Sequence, residues 1–338
     1  MFKRLKGKYW VYWIHLTIAV VGILYFFFAP SREKPSSHIL YGATFTKSYA
    51  DYLGIPWKEA YLAALDDLGI QSLRIGLNWD EIEPRKGEFD FSAFDWMMHE
   101  ARKRNVSVIL AIGRKLPRWP ECRVPSWAEG LSKALLKEKL FAMLQVAVER
   151  YKDDSALRYW QVENEPLFTF GNCPIPDYGL WKQEIAFVRS LDPHHKIMGT
   201  DSGELGFWIG VGSQVDILGT SLYRVAWNAL MGYINYPVSS GMYARKAQLL
   251  KPFVKRVIIS ELQLETWLPD KPIHDVPIED QLHSMNAERA AQALTYARAT
   301  GFNEIYLWGV EWWYWLKMHG NASMWNAVRS FLRPEATH

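Results

Sequence analysis

Eight short runs that read as β-strands, separated by stretches that read as helices, constrain this chain more than any other feature. The strand candidates are HILYGATF (38–45), SLRIGLNW (72–79), VSVILAIG (106–113), RYWQVENE (158–165), KIMGTDS (196–202), VDILGTSLY (215–223), RVIISELQ (256–263) and EIYLWGV (304–310). Amphipathic segments lie between them, among them 57–69, 95–105, 132–152, 177–191 and 279–301. Such alternation is the mark of βαβ units and a parallel sheet. Eight of them in 338 residues, 49% hydrophobic, are best met by one (β/α)8 barrel with a sizeable core. An open doubly wound sheet would carry a Gly-rich phosphate turn after its first strand, and GATFTKSYADYLG is not G-x-G-x-x-G.

A different pattern precedes the barrel. Residues 9–29, YWVYWIHLTIAVVGILYFFFA, are nearly all apolar. As a helix they would span about 31 Å, the thickness of a bilayer's hydrocarbon core. MFKRLKGK before them is more basic than SREKPSS after them, which puts the N-terminus in the cytoplasm. A cleaved signal peptide is the alternative, but the run exceeds a usual h-region and no small-x-small site follows it. The expected organisation is a basic flank and transmembrane anchor at 1–29, a polar linker at 30–37 and an extracytoplasmic (β/α)8 domain at 38–338, with the lipid bilayer as partner through 9–29.

The net charge of +3 is local: the first eight residues hold four Lys/Arg, and the remainder, +3 less four, sums to −1. That argues against nucleic acid as a partner, which calls for a basic face spread over a domain. The two cysteines, Cys122 and Cys173, fit no disulfide scaffold, and no His/Cys spacing resembles a zinc site. They lie in the loops after the third and fourth strands, which are neighbours in a barrel, so a single bridge at the rim is expected; two free thiols are the alternative. Nothing in the sequence fixes an oligomeric state.

In such barrels the C-terminal strand ends face the active site. The second strand carries Arg74 and ends near Trp79. The fourth ends in Asn164-Glu165, the sixth in Tyr223, and the eighth in Trp308 shortly before Glu311. The seventh breaks a β-branched apolar run with Glu261. Two carboxylates facing each other across a cleft, roughly 5 Å apart, are what retaining glycoside hydrolysis requires. The alternative is two structural ion pairs, Glu261 with Arg74 among them. Arg74 near Glu261 would keep that carboxylate ionised, and Tyr223 is placed either to donate to it or to pack at the strand end. Trp308 is either a floor for a pyranose ring or core. Glu163, two residues before Glu165, reads as structural and calls for a cation such as Arg74 or Arg114. Tryptophan is frequent, 17 in all, and Trp119, Trp127, Trp267, Trp312, Trp313 and Trp315 read as an aromatic rim that would bind several sugar units.

These residues resemble glycoside hydrolase clan A, the retaining (β/α)8-barrel hydrolases that include cellulase-like family 5 and its β-galactosidase and xylosidase relatives. The most specific pieces are ENEP at the fourth strand and ISE at the seventh; LRIGLNWDEIEPRKGEFDF (73–91) and VDILGTSLY are similar to the clan's second and sixth strand segments. The resemblance implies Glu165 as acid/base, Glu261 as nucleophile, Asn164 on the substrate 2-hydroxyl, Arg74 and Tyr223 orienting the nucleophile, and Trp308 as a sugar platform. Family 5 usually has a His after the third strand, where this chain has AIGRKLPRWPEC. Glu265, four residues past Glu261, reads as a rim residue or a substrate contact.

The function expected is retaining hydrolysis of β-glycosidic bonds in a carbohydrate substrate, with no metal and no cofactor. A transglycosylase on cell-wall or exopolysaccharide glycan would use the same residues. A silent carbohydrate-binding barrel would have lost one of the two glutamates, and both are present.

Overall fold

A computed structural model describes residues 2–228, 230–268 and 271–333, with side chains from residue 10 onward, that of 228 apart. Eight parallel strands close into a barrel: β1 (Leu40–Phe45), β2 (Ser72–Gly76), β3 (Ser107–Ile112), β4 (Leu157–Val162), β5 (Lys196–Asp201), β6 (Ile217–Leu222), β7 (Arg256–Gln263) and β8 (Glu304–Trp308). Each strand pairs with its neighbours in sequence, and β1 meets β8 through Leu40–Glu304 to Ala43–Leu307. The expected order and number of strands both hold. The barrel interior is filled from the bottom by Ile109, Tyr159, Met198, Ile217, Ile258 and Tyr306. A second, larger core joins the outer strand faces to the surrounding helices.

Departures from the sequence reading have local causes. The second strand stops at Gly76 rather than 79, because Trp79–Ile82 turns into a short helix. The helical stretch 279–301 breaks into Ile278–Ser284 and Ala287–Arg298, where Asn286 is extended and its side chain caps the N–H of Arg289 at 3.0 Å. After β6 an antiparallel hairpin, Val225–Asn228 with Gly232–Asn235, was not anticipated.

The N-terminal helix runs from Phe2 to Phe28, and its apolar part Trp10–Phe28 is long enough to cross a bilayer. Its last turn does not hang free. The Arg245 guanidinium donates to the carbonyls of Phe26 (2.9 Å) and Ala29 (2.7 Å), and the Ser239 N–H donates to that of Phe27 (2.9 Å). These side chains satisfy carbonyls that a helix end leaves without partners.

Candidate active site

Backbone irregularities aim both glutamates into the barrel mouth. On β7, Ile259 pairs with Thr220 of β6, and the next pair is Glu261 with Ser221. On the other side Ile259 pairs with Ile305 and Leu262 with Leu307. β7 therefore holds one extra residue at Ser260, a bulge. Strict alternation from the interior residue Ile258 would turn Glu261 outward; the extra residue turns it in. On the β4 side, Glu163 (φ 61°) and Glu165 (φ 42°) adopt left-handed backbone, costly for a residue with a Cβ and found where a site over-determines it.

Arg74 holds the site together from beneath. It is fully buried and its guanidinium donates at 2.7 Å to three acceptors: Gln161, the Asn164 amide oxygen and Glu261 Oε1. The Tyr223 hydroxyl donates to the other Glu261 oxygen at 3.2 Å. Burial and the nearby Glu261 charge push the Tyr223 hydroxyl well above its ordinary range, so it stays a donor. Thr200 also donates to the Asn164 oxygen, at 3.1 Å, which fixes the amide and turns its NH2 group the other way.

Glu165 is held differently. Its N–H donates to Thr200 Oγ1 (2.7 Å) and one carboxyl oxygen accepts from Ser221 Oγ (3.1 Å). Burial first, then the charges of Glu261 and Glu121, raise its carboxyl well above the ordinary range.

The loop after β3 supplies residues the sequence reading missed. Cys122 and Cys173 are joined, S–S 2.09 Å, which ties this loop to the one after β4. Within it Glu121 is buried 3.3 Å from Lys115 Nζ, and its carboxyl is raised to about 7, chiefly by burial. Arg118 enters the mouth at φ 92°. Its guanidinium lies between two aromatic faces, 3.8 Å from the Tyr49 ring centre and 4.1 Å from that of Trp308. It pairs with Glu265 at 2.7 Å and Glu311 at 3.3 Å. Burial opposes its charge, but those carboxylates outweigh it and raise the guanidinium further. Tyr49 donates to Glu265 at 2.5 Å. No local motif announces these contacts; only the unusual length of the loop pointed to it.

Several expected placements are corrected. Arg118 covers one face of Trp308. Trp79 is fully buried with its indole N–H on Glu83 (2.7 Å), so it packs rather than faces substrate. Trp312, Trp313 and Trp315 are buried in the helix Val310–Met318 and form no rim. Trp119 is exposed, and Trp267 is half-buried against Tyr223 with ring centres 5.8 Å apart. Glu163 does not reach for Arg74: it accepts from the N–H groups of Arg114 (2.7 Å) and Lys115, and the charge of Arg114, the other cation expected for it, acts on its carboxylate. Gly113 makes room for it, since a Cβ there would lie 2.7 Å from the Glu163 carboxyl carbon. Glu265 is held in its ion pair with Arg118 and lines the adjoining cleft, in keeping with a rim residue. Beside it a cleft of about 540 Å³ opens over Arg118, walled by Tyr49, Tyr52, Trp119, Lys271 and Ile273. Among the described residues no group of three His, Cys, Asp or Glu is placed to hold a metal ion.

Comparison with known proteins bears on the fold and on the class of enzyme. Residues 57–130 match the glycoside hydrolase 42 family model, described as beta-galactosidase. The chain resembles clan A glycosidase barrels in both fold and local sequence. A beta-galactosidase of Arthrobacter sp is 29% identical over 123 residues, which cover 31% of this chain and 18% of that relative. Among solved structures, a GH5_18 protein of Bifidobacterium longum subsp. longum shares the fold at TM-score 0.60 and 12% identity, over 89% of this chain and 80% of its own. A psychrophilic glycoside hydrolase family 10 endo-beta-1,4-xylanase does so at TM-score 0.53 and 15% identity, over 80% of this chain and 85% of its own. The family match contains Arg74, Arg118 and Cys122 but reaches neither Glu165 nor Glu261.

Proposed function

We propose that this chain is a retaining β-glycosidase in which Glu165 is the acid/base and Glu261 the nucleophile. The observation that carries the assignment is the asymmetry of the two carboxylates. Glu261 receives an ionic hydrogen bond from Arg74 and a second from Tyr223. Glu165 has a single neutral hydroxyl on its carboxyl and a raised pKa. In the first step Glu165 gives its proton to the leaving glycosidic oxygen while a Glu261 oxygen bonds to the anomeric carbon. In the second, Glu165, now ionised, takes a proton from water whose oxygen displaces Glu261. Asn164, its oxygen committed to Arg74 and Thr200, offers its NH2 to a sugar hydroxyl. Trp267, packed against Tyr223, is the aromatic ring placed to meet a sugar.

The barrel is tethered outside the cytoplasm by Trp10–Phe28 kept as an anchor. The basic flank, the disulfide and the clasp of Arg245 and Ser239 on the helix end support this reading.

The test is reducing-sugar release by the detergent-solubilised full chain on β-glucans, mannans, xylans and galactans, with Glu261→Ala and Glu165→Gln alongside. Products are compared with and without added acceptor sugar, which separates hydrolysis from glycosyl transfer. Activity on one polymer, lost in both variants, is expected. Binding without turnover in either format would overturn the assignment.

A further inference from the structure

The end of the apolar helix is fastened to the mouth side of the barrel. Ser239 lies at the start of the helix Ser240–Leu250, which follows β6 and its hairpin, and in a (β/α)8 barrel that end is level with the C-terminal strand ends; Arg245 lies midway along the same helix. The fastened residues, Phe26 to Ala29, overlap the last turn of the apolar stretch Trp10–Phe28, so no spacer separates it from the barrel. Exposed Arg32, Glu33 and Lys34 follow at once, a charged stretch that cannot enter the hydrocarbon layer.

Beside this clasp sits the loop after β5. Lys246, next to Arg245, donates to the carbonyls of Gly203 (2.8 Å) and Gly206 (2.6 Å), and Tyr243 donates to Glu204. The loop's outward side chains are apolar: Leu205 is 57% exposed, Phe207 90% and Ile209 51%. Residues 205–210, LGFWIG, include no charge. Single exposed apolar residues are ordinary, but three in one rigidly held loop mark a contact surface. On the neighbouring loop after β4, Ile175 is 86% exposed.

We infer that the loop 202–209 seats on the bilayer that the chain's own N-terminal helix enters, so that this arc of the catalytic mouth lies against the membrane surface. The occupant follows from continuity: a helix ending flush with the clasp puts the headgroup layer beside it, and Phe207 is then within the interfacial zone that apolar side chains enter. The inference rests on the anchor reading above.

The full chain is reconstituted in vesicles of phosphatidylcholine and phosphatidylglycerol, with an environment-sensitive dye on one introduced thiol: Phe207→Cys, Ile18→Cys within the helix, or Lys255→Cys before β7 at the opposite end of the barrel. Nitroxide-bearing lipids are then added. At least a twofold loss of emission at 207 and 18, with little change at 255, is expected. Quenching at 18 without quenching at 207 leaves the anchor standing and overturns the seating of the loop, which would then face solvent or a protein. Quenching at neither position overturns both. Equal quenching at 207 and 255 overturns the proposed orientation.

Discussion

Arg118→Ala removes the one cation shared by two buried carboxylates, and its cost is expected to depend on pH. Glu265 is 6% exposed and Glu311 not at all, and both lose their partner. Breaking a buried pair from one side costs about 3–5 kcal/mol. The carboxylates can escape by taking up a proton. Burial raises the Glu311 carboxyl to about 7 even with Arg118 beside it, and without Arg118 it rises further. Its unfolded value is about 4.3, so folding favours the protonated form. That contribution is complete at acid pH and is lost as pH rises through the folded value. Above pH 7 the wild-type Glu311 is already ionised while the variant's is not, so the variant alone keeps losing stability, by about 1.4 kcal/mol per pH unit. Urea denaturation of the detergent-solubilised full chain, followed by tryptophan fluorescence, should show a larger deficit at pH 8.5 than at pH 6, by up to about 2 kcal/mol. Adding Glu311→Gln should remove the pH-dependent part. A deficit below about 1 kcal/mol at both values, or an equal one that Glu311→Gln does not change, would refute the reasoning.

Other consequences are as direct. Glu165→Gln should lower turnover about 10²–10⁴-fold, and wild-type activity should fall on the alkaline side as the raised Glu165 carboxyl ionises, measured as kcat/KM against pH. Arg74→Lys cannot reach three acceptors with one ammonium, and at least a tenfold loss of turnover is expected in steady-state assays, with the fold retained by circular dichroism. Gly113→Ala, at φ 131° and pressed against Glu163, should cost about 2 kcal/mol or more in the same urea titration. Replacing Cys122 and Cys173 by Ser should cost about 2–4 kcal/mol and loosen the loop that carries Arg118 and Glu121, read as faster proteolysis between 114 and 130.

What the sequence disclosed follows the range of the forces involved. Strands such as VSVILAIG and RYWQVENE announce themselves because a buried strand needs a continuous apolar run, a purely local demand. Glu165 and Glu261 stood out because a carboxylate in such a run is anomalous. The bulge at Ser260 was not legible: it exists only relative to β6 and β8. Arg118 was hidden for the same reason, since Tyr49, Glu265 and the pair Trp308 and Glu311 come from three separate stretches of chain. The tryptophans misled where periodicity was ignored. Trp312, Trp313 and Trp315 share one helix and pack inward, whereas Trp119 stands on a loop. The helix 279–301 reads as continuous because no Pro, and no Gly before 301, interrupts it, yet Asn286 prefers to cap.

The closure of β1 on β8 sets an order on how the chain reaches this state. Leu40 pairs with Glu304, so the first strand, emerging just behind the apolar N-terminal helix, has no partner on that side until the last strand exists. Contacts of such sequence separation form late and slowly. The clasp at Ser239 and Arg245 likewise waits for six strands to be made. During synthesis the growing barrel is therefore an open sheet behind the apolar helix, its β1 edge unpaired. Variants that slow the C-terminal strands should reveal themselves first as degradation of that half-built sheet, before any loss of activity in molecules that finish.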